Sequence, residues 1–165
     1  MPKKQAGKRA GGTPATVALT RAGIDFTLHP YEHDPRAESY GIEAAAALGV
    51  EPNRVFKTLM ASLDGKLVVG VVPVTEHLDL KALARALGGS KARMAEVTVA
   101  ERATGYVVGG ISPVGQKRAH PTVVDESAAA YDSIFVSGGR RGLDIELSPA
   151  DLVAVTSGAL APIAR

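Results

Sequence analysis

The residue types able to do chemistry are few in this chain, and most familiar arrangements of them can be set aside. The four histidines include one i, i+4 pair, His29 and His33. Zinc would use that spacing on a helix, but the intervening Pro30-Tyr31-Glu32 follows a strand-like segment and does not bring both rings to one face, so no metal site is expected. His77 and His120 are isolated. Ser112, in Gly109-Gly110-Ile111-Ser112-Pro113, is followed by a proline that has no N–H to give an oxyanion, and no nucleophile elbow occurs. Neither the P-loop nor the dinucleotide-binding glycine spacing is present, so no cofactor is expected.

Three segments keep a functional reading beside a structural one. Lys57 lies in an apolar run, Val55-Phe56-Lys57-Thr58-Leu59, where a lysine either faces solvent or stands over a cavity. Gly105 to Gly115 concentrates glycine, which lets a ligand approach backbone N–H groups closely or simply permits a tight connection. Ser137-Gly138-Gly139-Arg140-Arg141-Gly142 reads as a turn whose two arginines, just before Asp144, suit either phosphate contact or ordinary exposure.

The elements that would position these segments are readable from caps, periodicity and turn chemistry. Thr13-Pro14 opens a helix through Arg21 that Gly23 stops, and Ser39 opens a second that Gly49 ends. Between them, Ile24, Phe26 and Leu28 alternate as a strand with one buried face, ended by Pro30. Val55–Ser62 and Lys66–Val74 form a hairpin around Asp64-Gly65, a type I′ signal. Asp79 caps a helix running to Gly88-Gly89, and a short helix spans Thr98 to Arg102. Strands cover Thr122–Val124, Ile134–Val136 and Leu143–Leu147, with Asp144 and Glu146 directed away from the leucines, before Ser148-Pro149 starts a last helix. Interspersed helices and strands with a hairpin imply a mixed α/β (α+β) single domain rather than a strict parallel array.

Composition bounds the rest. The 165 residues are 45% hydrophobic and 22% charged, ordinary for one globular domain. Without cysteine there are no disulfides, thiolate metal sites or cysteine nucleophiles, which fits a cytoplasmic protein. No apolar run reaches the ~20 residues that span a bilayer, and the basic start is not followed by a signal-type apolar core. The formal charge is +2, from 19 basic against 17 acidic groups, but Lys3, Lys4, Lys8 and Arg9 belong to residues 1–12. Without those four, 15 basic groups face 17 acidic ones, so the body is nearly neutral and the leader reads as a disordered basic segment.

Together the segments resemble the YbaK family, stand-alone relatives of the editing domain inserted in bacterial prolyl-tRNA synthetases. The likeness runs from Thr13-Pro14-Ala15 through Tyr31-Glu32-His33-Asp34, Val55 to Leu59, Leu78-Asp79-Leu80-Lys81, Thr104-Gly105-Tyr106 and Gly109 to Lys117, ending in Ser137 to Ile145. Only residues 1–12 fall outside it, so 13–165 is expected to form the editing domain, with a mixed, partly barrel-like sheet flanked by helices. The resemblance implies clearance of mischarged tRNA, typically Cys-tRNA(Pro) and also Cys-tRNA(Cys), with prolyl-tRNA synthetase as an associated partner and no membrane.

By the same resemblance Lys57 holds the aminoacyl-adenosine, Tyr31 lines the pocket, and Asp144 is an orienting group. Gly109, Gly110, Ile111 and Ser112 bound the amino-acid site, with Gly138, Gly139 and Arg140 also contacting substrate. The family's substrate cysteine is held to attack its own ester carbonyl, which accounts for the missing nucleophile and metal. Two alternatives stand beside this reading: a deacylase for another small amino acid, as in Ala-tRNA(Pro), and a noncatalytic tRNA- or synthetase-binding adaptor.

Overall fold

The computed structural model describes residues 12–165; the expected leader, residues 1–12, therefore lies almost wholly outside the described residues. Helix α1 (Pro14–Arg21) is fixed at its start by a capping box in which Thr13 and Thr16 exchange bonds, and the Thr13 hydroxyl also donates to Gly138 O at 2.6 Å. Strand β1 (Thr27–Pro30) leads to α2 (Tyr40–Leu48), capped by Ser39 and closed by Gly49 at φ 67°. A 3-10 turn (Pro52–Arg54) precedes β2 (Phe56–Leu63), which pairs antiparallel with β3 (Lys66–Pro73). Asp64 and Gly65 both take positive φ, 50° and 88°, as a type I′ turn requires.

Helix α3 (Leu80–Ala86), capped by Asp79, β4 (Ala92–Met94) and α4 (Val97–Thr104) follow. Next come β5 (Thr122–Asp125), the β6/β7 hairpin (Ile134–Arg140 and Leu143–Leu147), α5 (Pro149–Thr156) and β8 (Ala159–Ala161). The segment read as a glycine-arginine turn is mostly strand: β6 continues through Arg140, with a register shift between Ser137 and Arg140, and only Arg141-Gly142 turns. The three-residue strands β4 and β8 are additions to the expected elements.

The strands form two sheets, β1-β7-β6 and β4-β2-β3-β5-β8, the second mixed because β5 pairs parallel with both β3 and β8. Among the described residues the sheets meet through one isolated parallel bridge, Val55 to Phe135. The mixed α/β fold is as expected, but two open sheets stand in place of a partly barrel-like one. The largest core lies between them, joining Phe56, Met60, Val69 and Val71 to Val136 and Ile145, with Leu19 and Leu152 brought by α1 and α5. On the other face of the larger sheet, Ala61, Leu63, Val68 and Val72 pack under Leu78 and Leu83. Alternation along β2 and β3 thus serves two apolar layers. A third cluster seats α2 through Ala44 and Ala45 on Val55, Val74 and Phe135, at the seam between the sheets. No helix among the described residues is long and apolar enough to cross a membrane.

Candidate functional site

At this seam lies a cavity of about 290 Å³, walled by β2, β6, β7, the start of α2 and the glycine segment. Its lining includes Lys57, Tyr31, Asp144, Gly109 and Ile111, so five of the predicted site residues converge there. Lys57 projects on the face of β2 shared with Leu59 and also borders a second hollow, beside His77 and Met94. Its partial burial lowers the ammonium pKa from the ordinary value. Lys57 is the cationic side chain among the lining residues.

Asp144 lies directly across from Ser137 on β6 and His29 on β1. Its side chain turns away from the leucine face, as the strand period requires, yet meets the cavity wall rather than solvent and is only 5% exposed. Burial pushes its carboxyl pKa up to about 7, so near neutrality the group is divided between acid and carboxylate. Tyr31 enters the same wall from the loop after β1, where its N–H donates to Gly142 O at 2.9 Å. Burial, followed by the negative charge of Asp144, raises its phenol to about 12 and keeps it a hydrogen-bonding OH.

The glycine segment is held in place by Tyr40, which sequence reasoning missed, and by Arg141, whose support of this segment it did not foresee. Arg141 Nε donates to Val108 O at 2.9 Å, and its guanidinium lies over the Tyr40 ring with 5.1 Å to the centroid. Gly109, at φ 87°, rests on this pair; a Cβ there would come 2.8 Å from Tyr40 and 2.9 Å from Arg141. No local sequence signal links Tyr40 to Arg141, because their contact joins distant elements.

The remaining predicted residues are not among those lining the cavity. A Cβ on Gly110 would meet the Arg140 main chain at 2.7 Å, so this glycine lets two backbones touch. Gly138 and Gly139 face Leu143, and Thr13 with Tyr106, respectively. Ser112 is fully buried and accepts from Val114 N–H at 3.2 Å, a local turn contact. Arg140 is exposed at the end of β6. His29 and His33 do not converge: His29 Nε2 meets Glu146 at 2.9 Å, and His33 Nδ1 meets Glu43 at 2.8 Å.

A family model for the aminoacyl-tRNA editing domain matches residues 34–155. The chain belongs to that family. Editing-domain relatives include EbsC of Enterococcus faecalis (strain ATCC 700802 / V583), named as a candidate Cys-tRNA(Pro)/Cys-tRNA(Cys) deacylase. It is 44% identical over 121 residues, covering 72% of this chain and 73% of EbsC. A proline–tRNA ligase of Geobacter sp. (strain M21) is 34% identical over 110 residues, which are 66% of this chain but 19% of the ligase. This editing domain is also similar to the crystal structure of a candidate trans-editing enzyme for prolyl-tRNA synthetase, with a TM-score of 0.82, 25% identity and coverage of 92% and 95% of the two chains. The matched residues include Lys57, Gly109 and Asp144; Tyr31 lies just before them.

Proposed function

We propose that this editing domain is a trans-acting aminoacyl-tRNA deacylase that clears Cys-tRNA(Pro), and Cys-tRNA(Cys) as well, in the cytoplasm. The observation that carries the reading is the seam cavity, where Lys57 and the buried Asp144 come from different sheets around a space suited to a small aminoacyl group. The name of EbsC and the domain's likeness to part of a proline–tRNA ligase support the substrate class. Prolyl-tRNA synthetase is the partner that would bring charged tRNA to a body with nearly balanced charge, since few phosphate contacts mean weak binding alone.

An aminoacyl ester is already activated, so positioning and charge stabilisation supply the remaining acceleration. The cysteine thiol attacks its own ester carbonyl: a sulfur–carbon bond forms, the carbon–oxygen bond to ribose breaks, and the thiol proton ends on the departing ribose oxygen. Lys57 holds the negatively charged end of the tRNA and favours charge developing on that oxygen. Tyr31 orients the acyl group, beside Asp144, while Gly109 and Ile111 limit its size. Such a second site is needed because a few groups' difference between cysteine and proline gives a synthetase about 1–3 kcal/mol of discrimination.

The test is a deacylation panel with Cys-tRNA(Pro), Cys-tRNA(Cys) and Ala-tRNA(Pro). Loss of charge from the two cysteinyl species well above the uncatalysed rate is expected; a rate equal to background with every species would overturn the reading. Lys57→Ala should lower kcat/KM at least 100-fold while the melting temperature stays within a few degrees.

A further inference from the structure

The edge of β2 that borders the cavity has a gap in its pairing between Val55 and Met60. In the β2/β3 hairpin, the Asp64-Gly65 turn makes Leu63 and Lys66 the closing hydrogen-bonded pair, so the main-chain groups of Ala61, Leu59 and Lys57 point toward β3 and those of the even-numbered residues point away. Bonds outside the ladder agree: Asp64 N–H donates to Lys91 O, Ala95 N–H to Met60 O, and Val69 N–H, across from Met60, to Pro121 O. On the outward edge β4 covers Ala61 to Leu63, Ala95 closes on Met60, and β6 meets Val55. Thr58 falls between them, and among the described residues neither β4 nor β6 pairs with it.

Two further observations mark this gap as a place for a ligand. Val55 through Leu59 all line the cavity, although successive side chains point to opposite faces; a cavity touches five consecutive strand residues only when it wraps the strand's edge. In addition, Thr58 Oγ1 is the buried side-chain polar atom left without a hydrogen-bond partner among the described residues. A buried, unpaired hydroxyl is destabilising, and that cost is removed when a ligand supplies the partner.

We infer that the aminoacyl group docks on Thr58 as a one-residue β-strand. In a hydrogen-bonded antiparallel pair, a single residue offers its N–H to the facing C=O and its C=O to the facing N–H. An aminoacyl ester carries the complementary pair, an α-ammonium donor and an ester carbonyl acceptor, on one α-carbon. Thr58 N–H thus donates to the ester carbonyl oxygen and Thr58 C=O accepts from the α-ammonium. Facing side chains in such a pair lie on the same side of the sheet, which sets the substrate side chain beside Thr58 Oγ1. The donor to the carbonyl also opposes the negative charge that grows there as the thiol attacks. This geometry reads an amino acid as such, through its main-chain atoms, and leaves the cavity wall to read side-chain size.

The inference rests on the deacylase reading, and two measurements separate their fates. In the first, the protein is given Cys-tRNA(Pro) and 3-mercaptopropionyl-tRNA(Pro), which keeps thiol and ester but lacks the α-amino group. Acceleration of the cysteinyl ester should exceed that of the deamino ester at least 100-fold; equal acceleration of both overturns docking on Thr58 while leaving the deacylase intact. The second needs no turnover: 3′-(L-cysteinylamino)-3′-deoxyadenosine is titrated into 15N-labelled protein. A downfield shift and slowed exchange of the Thr58 amide are expected, with 3′-amino-3′-deoxyadenosine giving neither. An unmoved Thr58 amide, with or without binding elsewhere, overturns the inference even where the first assay shows no deacylation at all.

Discussion

Asp144 is a carboxylic acid on the cavity wall whose ionisation the fold opposes. Its native pKa of about 7 stands above the ordinary 3.8, so the unfolded chain gives up this proton first. The stabilising effect of the neutral acid is therefore complete below the unfolded value and is lost as pH rises toward 7, after which it stays lost. Over that window the fall is bounded at about 4 kcal/mol for a shift of this size. Asp144→Asn should remove this slope: in urea titrations the variant is expected to match the wild type near pH 4 and to exceed it at pH 8. Equal midpoints at pH 8 would show that the carboxylate is accommodated at little cost. At Thr58 the expectation separates stability from activity. Thr58→Val retains the branched shape and deletes the unpaired hydroxyl, so the melting temperature should hold or rise while kcat/KM on Cys-tRNA(Pro) falls about tenfold, read by calorimetry and deacylation.

At the scale of elements, the glycine segment and the β6/β7 hairpin act as a pair. Gly109 takes a left-handed φ against Tyr40 and Arg141, so Gly109→Ala adds backbone strain to a side-chain clash. A stability loss of about 1–3 kcal/mol is expected, measured by denaturant unfolding, together with a raised KM as the cavity rim shifts. Arg141→Ala should raise KM with a smaller stability loss, because it removes the support of Val108 O without forcing a clash. Much of this scale was legible in the sequence. Ser39, Asp79 and Ser148 cap the helices they were expected to cap, and Asp64-Gly65 turns the hairpin, because caps and tight turns are decided by side chains within a few residues. Strands β4 and β8 were not legible, since three residues show no period and each exists only as an addition to a neighbour's edge. The site divides similarly. Lys57 and Asp144 stand out by type, whereas Tyr40, Arg141 and the gap at Thr58 depend on contacts between distant segments. Gly110, Gly138 and Gly139 owe their lack of a side chain to close packing of backbone and core, which sequence cannot distinguish from room left for a ligand.

For the molecule as a whole, the two sheets are tied beside the cavity by Arg54. Its guanidinium donates to Ser133 O at 3.0 and 3.2 Å and to Ser133 Oγ at 2.7 Å, reaches Glu146 at 3.5 Å, and covers the Phe135 ring. Arg54→Ala should cost about 1–3 kcal/mol, read by thermal unfolding, because the tie is charge-assisted and partly shielded from water. Elsewhere Asp125 closes the fold, accepting from Ile163 N–H and Ala164 N–H at 2.9 Å each, so the segment after β8 is pinned to the end of β5. Among the described residues, the backbone link between the two sheets at the seam is the Val55 to Phe135 bridge. A joint of this kind resembles the jaws of a caliper: its gape is fixed by whatever holds the two arms at their angle. Which amino acids fit is then adjustable from outside the cavity, and a weakened Arg54 tie would widen the range of esters admitted to acyl groups larger than cysteinyl, without altering a single residue that the substrate touches.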